Sequence, residues 1–419
     1  MEKTKKPIIP NSAIPPKADN LSFEDTAVAF ASKSDNDLKK AYFLFKVVSS
    51  QSLMTFGKYS SIWALKLHLP IKGIIKKTIF SQFCGGETIE ECAGTTKILD
   101  LYSIGTILDY SVEGKETEEE FDAGFKEIMR TIETAHENPH IPFCVFKVSG
   151  LCQNSLLEKV SSGTDLSESE TKAFERLKKR VEALCQQAEK ANTPIFIDAE
   201  ESWIQNAIDA LAMEMMAKYN RRRAIVYNTL QMYRHDRLTH LAEAYNTAEE
   251  EGFYYGVKLV RGAYMEKERD RAKEKGYSSP IQPNKEATDR DFNAAIQFCL
   301  KHQEVIYFCA GTHNEESSLL LAEEMDERGM DRNDERIFFA QLYGMSDHIS
   351  FNLSKAGYNV AKYVPYGPVK EVMPYLIRRA EENTSVQGQT GRELKLITRE
   401  IKRRNKSQRQ SHSSVSKGS

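Results

Sequence analysis

The sequence predicts an α/β protein: one parallel (β/α)8 barrel, TIM-like, with an N-terminal helical region. Two observations carry that expectation. Eight short apolar runs recur between positions 105 and 365, each nearly continuous in apolar residues, as strands covered on both faces by helix must be. Each ends in a polar or glycine cluster and gives way to a long charged stretch of helix-forming composition, the alternation expected of βα units in a parallel sheet. Eight such units close naturally into a barrel, and 419 residues accommodate it together with an appended helical region. A doubly wound open sheet is the structural rival.

The elements follow in order. Residues 1–22 are rich in Pro and Lys and read as irregular. Residues 23–96 read as helical, with apolar groups at helical spacing in DLKKAYFLFKVVSS and again after Trp63. The barrel is expected over 97–395. Its strands are GTILDYS (105–111), FCVFKVS (143–149), PIFIDAE (194–200), AIVYNTL (224–230), GVKLVRG (256–262), VIYFCAG (305–311), RIFFAQL (336–342) and NVAKYVP (359–365). Residues 396–419, ending in the basic, Ser-rich IKRRNKSQRQSHSSVSKGS, read as a disordered tail.

Composition narrows the function classes. An apolar fraction of 40% beside 28% charged residues describes a globular chain able to bury a core. Acids and bases nearly cancel, at a net charge of −2, so no global field recruits nucleic acid. The seven cysteines lack CxxC pairs or metal spacing, which points to reduced thiols and an intracellular compartment. No apolar run is long enough to span a bilayer, and the N-terminus has neither a signal-peptide core nor a transit-peptide composition, the first arginine being Arg130. The expected location is cytoplasmic. The stretch WALKLHLPIKGIIKKTIF (63–80) mixes apolar groups with Lys66, Lys72, Lys76 and Lys77. It has two readings, a helical cap on the barrel or a peripheral contact with the inner face of a membrane.

Barrel active sites form at the C-terminal ends of the strands. Those ends carry Asp109 and Glu113, Lys147, Asp198 and Glu200, Gln231, Lys258 and Arg261, His313 and Asn314, Gln341, and Tyr363. Lys147, between Phe146 and Val148, must point into the barrel or its mouth. It is either a structural partner of an acid such as Asp198, a cation aimed at an anionic substrate group, or a Schiff-base amine. Asp198, Glu200 and Glu201 include at least one acid expected to orient a cation. His313 stands without HxH or HExxH company, so a metal is not expected. After the last strand, in MPYLIRRAEEN, Tyr375, Arg378 and Glu382 share a helix face and Arg379 lies four residues from Tyr375. Paired guanidinium forks match a carboxylate; the bland alternative is a solvated basic turn. Neither GxGxxG nor a P-loop occurs, so a phosphorylated cofactor would rest on strand-end cations and backbone amides, for which Lys258, Arg261 and Gly262 in KLVRGAY are suited.

The blocks KLVRGAYMEKER, GTHNEES and YVPYGPVKEVMPYLIRRAEENTS, supported in order by ILDYSVEG, FKVSGL, FIDAEESW and YNTLQMY, resemble the proline dehydrogenase family over roughly residues 100 to 390, most closely its monofunctional members. The resemblance implies FAD across the barrel mouth, L-proline as substrate, Δ1-pyrroline-5-carboxylate as product of hydride transfer to flavin N5, and a quinone as electron acceptor. It implies that Arg378, Arg379 and Lys147 bind the substrate carboxylate. Tyr363, Tyr375, Leu259 and Tyr264 would wall the ring, and Asp198 and Glu382 would orient the cations. FAD would meet Gln231, Lys258, Val260, Arg261, Gly262, Ala263, Thr288, His313, Asn314 and Glu382. Lys258 stands where bifunctional bacterial members carry arginine, and Arg261 where they carry lysine. Tyr363 favours proline over hydroxyproline, since the hydroxyproline-preferring branch has a smaller residue there. A hydroxyproline dehydrogenase, a different flavin or Schiff-base barrel, and a non-catalytic scaffold are the alternatives.

Overall fold

The computed structural model describes residues 21–48, 72–112, 114–385 and 389–415. Strands β1 (Ile104–Tyr110), β2 (Phe143–Phe146), β3 (Ile195–Ile197), β4 (Val226–Gln231), β5 (Tyr255–Val260), β6 (Ile306–Gly311), β7 (Ile337–Leu342) and β8 (Val360–Tyr366) are all parallel and close into a barrel in chain order. Closure comes from seven successive pairs between β1 and β8, from Ile104 against Val360 to Tyr110 against Tyr366. Each predicted run contains its strand to within a residue or two, except that β2 and β3 stop early. β2 ends at Phe146, where Lys147 begins a tight turn over Val148–Gly150.

Strand side chains alternate between faces, and the two faces bury different clusters. Ile107, Phe143, Val145, Phe196, Tyr227, Cys309, Ala340, Ala361 and Tyr363 fill the barrel interior. Phe143 stacks on Phe196 at 4.4 Å between ring centroids, and the edge of Tyr227 closes against Phe143 at 5.5 Å. The other parity, including Leu108, Phe146, Ile197, Val257, Leu259, Phe308, Phe339 and Val364, packs against the outer helices. Continuing the interior parity to the C-terminal ends aims Asp109, Lys147, Asp198, Gln231, Lys258, His313 and Tyr363 into the mouth.

Outer helices start where side chains satisfy their first N–H groups. Thr117 with Glu120 and Ser167 with Glu170 form reciprocal capping boxes for the helices Glu118–Glu137 and Glu168–Lys190. Arg180 then ties these helices together through Glu118 at 2.6 Å and Asp122 at 2.7 Å.

The first and last described helices pack together beside the barrel. Phe30, Phe45, Phe80, Phe83, Val372, Leu376, Leu396 and Ile397 form a second core. It joins the helices Thr26–Ala29, Asp35–Val48, Met373–Ser385 and Gln389–Val415. The helix Gln389–Val415 corrects the expectation of disorder over 396–419, through residue 415. Its anchor is Leu396, Ile397 and fully buried Glu400, which pairs with Arg403 and Arg404 at 2.7 Å. Its basic residues meet acids from the other chain end: Arg399 reaches Glu24 at 2.5 Å and Arg404 reaches Asp35 at 2.9 Å. The helix Ile89–Asp100 also runs across the boundary expected between 96 and 97. Of the stretch 63–80, residues 63–71 lie outside the described residues. The remainder, with Ile75 and Phe80 buried and Lys76 paired to Glu87 at 2.8 Å, lies against the second core. Among the described residues, no helix is long and apolar enough to cross a membrane.

Candidate active site

A cation bound by a carboxylate, a phenol and two rings lies in the barrel mouth. Lys258, 4% exposed on β5, donates to Asp198 beyond β3 and to the Tyr363 hydroxyl on β8. The Tyr363 hydroxyl donates in turn to Asp198 at 3.1 Å. The ammonium lies 4.4 Å from the Tyr363 ring centroid and 5.0 Å from that of Phe196, where the ring faces favour a cation. Asp198 therefore pairs with Lys258 across the barrel.

Lys147 stands between two other acids. Burial raises the pKa of Asp109, and the charge of Lys147 opposes that rise; the Ser111 hydroxyl donates to Asp109 at 2.5 Å. Burial likewise pushes Glu200 up to about 7 against the pull of Lys147. Glu200 accepts from the Ser149 N–H at 2.9 Å and from the Ser149 hydroxyl. The tight turn after β2 thus sets Lys147 and Ser149 around this one carboxyl. Glu113 lies outside the described residues.

Gln231 links this wall to the next. Its amide donates to the Glu200 carbonyl at 2.7 Å and accepts from the Ala263 N–H at 3.4 Å. Gly262 has φ +130°, and a Cβ there would stand 2.6 Å from the Tyr233 ring, so only glycine lets the chain turn at this point. Val260 and Tyr264 are half-buried on either side of the turn. Burial raises the Tyr264 phenol, Glu200 and Glu201 push it further, and the charges of Lys147 and Arg378 oppose the rise. That single hydroxyl lies within reach of the fields of both cations.

Arg261 points the other way. It donates to Asp289 at 2.8 Å, to the Thr312 hydroxyl at 2.5 Å and to the Ser317 hydroxyl at 2.9 Å, and it lies 4.4 Å over the Phe292 ring. These use three of the five guanidinium N–H groups. Thr288, buried beside Asp289, bonds the Asn284 carbonyl at 3.4 Å. Asn314 caps the helix Glu315–Glu327 by accepting from the Ser317 N–H at 2.9 Å. His313 Nδ1 lies 2.9 Å from Ser346 Oγ. Burial, with the nearby charges of Lys362, Arg379, His348 and Arg261, holds the His313 pKa down at about 3.

The helix Met373–Ser385 supplies the remaining cations. Tyr375 and Arg379 are buried at 6% and 8% exposure, and the guanidinium lies 5.5 Å over the tyrosine ring. Arg378 is half-buried. After burial, the charge of Arg379 lowers the pKa of His313 and that of Arg378 lowers the pKa of Tyr264, so the adjacent arginines lie near different residues of the mouth. Burial sets Arg379 apart from a solvated turn, while Arg378 stays half-buried. Glu382 lies on the same helix, its side chain outside the described residues.

Two expectations about facing are corrected. Leu259 is fully buried in the outer cluster, because the alternation that turns Lys258 inward turns Leu259 toward the helices; it does not wall the mouth. Gln341 also faces outward, donating to the Thr312 carbonyl at 3.0 Å and accepting from the Ser350 hydroxyl at 2.7 Å. Lys362 escaped notice in the sequence although a lysine in an apolar strand was the signal used for Lys147. It is fully buried on the outer face of β8, 2.9 Å from Asp347.

Residues 92–392 match the family model described as proline dehydrogenase. The carbapenem biosynthesis protein CarD of Pectobacterium carotovorum is 36% identical over 336 residues, covering 80% of this chain and 86% of that protein. Proline dehydrogenase 1, mitochondrial, of Dictyostelium discoideum is 33% identical over 426 residues, or 91% and 74% of the two chains. The hydroxyproline dehydrogenase of Xenopus laevis is 30% identical over 425 residues, or 92% and 90%. Among solved structures, proline utilization A of Bdellovibrio bacteriovorus, inactivated by N-propargylglycine, shares the fold at a TM-score of 0.68 and 18% identity. That alignment covers 86% of this chain, which spans only 38% of the larger protein. With the family match extending over most of a (β/α)8 barrel, the chain belongs to the proline dehydrogenase family, oxidoreductases that act on proline.

Proposed function

We propose that this chain oxidises L-proline to Δ1-pyrroline-5-carboxylate, with FAD as hydride acceptor and a quinone as the onward electron acceptor. The observation that carries the reading is the pair Arg378 and Arg379, held over a mouth already lined by Lys147, Lys258 and three tyrosines, Tyr264, Tyr363 and Tyr375. A zwitterionic amino acid asks for cations at its carboxylate and apolar or aromatic walls around its ring.

The residues fit a flavin nucleotide. Gly262 and Ala263 are exposed, and the glycine lets the main chain lie bare at the rim of the mouth. Arg261 retains two N–H groups for an anionic moiety, and Asn314 begins a helix whose N-terminal N–H groups favour negative charge. Lys258, Val260, Arg261, Gly262, Ala263, Gln231, Thr288, His313, Asn314 and Glu382 are the residues we assign to FAD. When bound, it supplies the two-electron acceptor for the substrate hydride.

The chain's own groups do the positioning. Arg378, Arg379 and Lys147 clasp the carboxylate from opposite sides, which fixes the ring and removes much of the entropic barrier. Asp198 holds Lys258 in place, and Glu200 stands opposite Lys147. We assign the proline preference to Tyr363, whose hydroxyl is engaged by Lys258 and Asp198 and whose bulk would crowd a substrate that carries a ring hydroxyl. The likeness to the Xenopus hydroxyproline dehydrogenase makes this the point to test. We also read residues 72–83 as a cap on the barrel, since Ile75, Phe80 and Phe83 are buried there.

Purified protein reconstituted with FAD should be yellow, and anaerobic L-proline should bleach it, with trans-4-hydroxy-L-proline much slower. A protein that binds no flavin, or one that stays oxidised in excess L-proline, would sink the assignment.

A further inference from the structure

We infer that Glu393, in the C-terminal helix Gln389–Val415, is a positioning residue for His313 and acts through Ser346. The inference rests on the reading of His313 as a cofactor residue. Ser346 follows β7 and opens the helix Asp347–Lys355 with φ +50° and ψ +41°, a left-handed conformation that a non-glycine residue keeps only where its surroundings impose it. Three elements impose it. The Glu393 carboxylate, 3% exposed, accepts from the Ser346 N–H. On one side of Ser346 the buried ammonium of Lys362 donates to the Met345 carbonyl, and on the other it pairs with Asp347 at 2.9 Å. Gln82 donates to the Gly344 carbonyl at 2.8 Å, where φ is +78°.

With its N–H and φ fixed, Ser346 has its Cβ–Oγ direction set as well, and that hydroxyl lies 2.9 Å from His313 Nδ1. The hydrogen bond at Nδ1 orients the ring and selects its tautomer. Neighbouring contacts lock the same joint. Arg392, next to Glu393, bonds Glu315 at 2.8 Å, two residues beyond His313. His348 Nε2 lies 3.0 Å from Glu315, and its Nδ1 lies 3.9 Å from Glu393. Glu393, one residue past the family match, thereby sets a side chain at the barrel mouth.

The test is FAD titration of apoprotein, read by flavin fluorescence, alongside 15N shifts of the His313 ring. Glu393→Ala should raise the Kd for FAD roughly tenfold, the loss of one well-placed hydrogen bond, and should change the tautomer balance at His313. Glu393→Gln, whose amide oxygen can still accept from Ser346, should restore most of both. Glu400→Ala, equally buried on the same helix, should lower Tm while leaving the Kd and the ring shifts unmoved. Adding Glu393→Ala to His313→Ala should weaken binding no further. Wild-type Kd and ring shifts in Glu393→Ala, or additive effects in the double variant, would overturn the inference. If His313→Ala weakens FAD and Glu393→Ala does not, the inference alone fails. If His313→Ala binds FAD normally, the cofactor role of His313 and the inference fall together.

Discussion

Removing Asp198 should destabilise the protein itself, apart from any effect on catalysis, and the structure sets the size. Asp198 is the carboxylate that offsets Lys258, and the two side chains are 14% and 5% exposed. Truncating one member of a buried ion pair leaves the other uncompensated, at about 3–5 kcal/mol; the slight exposure of Asp198, and the rings of Phe196 and Tyr363 beneath the ammonium, argue for about 3 kcal/mol. Unfolding entropy near Tm is about 2.1 cal/mol/K per residue, or roughly 0.9 kcal/mol/K for a chain of this length, so Asp198→Ala should lower Tm by about 3–4 °C. Lys258→Met should do the same. The double variant Lys258→Met/Asp198→Leu should recover about 2–3 kcal/mol relative to the sum, because no buried charge is then stranded. The assay is thermal unfolding of apoprotein and of FAD-loaded protein, since bound ligand adds its own stabilisation. A Tm loss below 1 °C in Asp198→Ala apoprotein, or strict additivity in the cycle, would refute the pairing.

Further expectations follow from the same geometry. Arg378→Met and Arg379→Met should each raise the KM for proline by roughly tenfold to a hundredfold, as lost charged hydrogen bonds do, while FAD stays bound; unchanged proline affinity in both would remove the carboxylate assignment. Gly262→Ala should cost about 1–3 kcal/mol of overpacking against Tyr233 and reduce flavin content on purification, measured as the ratio of flavin to protein absorbance. Tyr363→Ser should narrow the preference for L-proline over trans-4-hydroxy-L-proline, and an unchanged ratio of kcat/KM values would remove Tyr363 from specificity. The folded pKa of Glu200, raised to about 7, means the native state holds a proton that the unfolded chain has lost between 4.5 and 7, so stability falls as pH rises through that window. Glu200→Gln should flatten the Tm decline between pH 5 and 8. Asp347 and Glu315, held down near 2, have the opposite sign: their stabilisation is present above the unfolded values of 3.8 and 4.5 and is lost as pH falls toward 2.

Strand periodicity is a local signal, which is why the barrel was legible. Eight apolar runs bounded by polar ends demand burial on both faces whatever the chain does elsewhere. The helical spacing of Tyr375 and Arg379 was legible for the same reason, and it gives the observed ring–cation contact at 5.5 Å. Partner choice across the barrel was not. Asp198 on the third strand's end pairs with Lys258 on the fifth, through an interior whose geometry no linear spacing encodes. Leu259 is a different case: once Lys258 is turned inward, alternation alone sends its neighbour outward, so the signal was present. The tail was misread because its apolar spacing is sparse and its anchoring acids, Glu24 and Asp35, lie at the opposite end of the chain.

That long-range anchoring bears on how the site is held together. Four cationic side chains, Lys147, Lys258, Arg378 and Arg379, converge on one mouth, and without fixed counter-charges they would repel one another and relax outward. Lys258 is held by Asp198 in the mouth, and Arg261, turned outward, by Asp289 on the helix Lys285–Lys301. The acids around Lys147 are Asp109 and Glu200, whose pKa values burial raises toward the neutral form against the pull of that lysine. Lys258 thus has its counter-charge inside the barrel. The turn carrying Ser346 is matched from outside it, by Lys362 and Glu393. A change at either end of the chain should therefore reach the mouth through the His313 side rather than the Lys147 side. Glu393→Ala is the sharpest test of that asymmetry: FAD affinity should fall while the proline KM of the FAD-loaded fraction stays near wild type. An equal loss on both sides would mean that the terminal helix supports the barrel as a whole and not one wall of it.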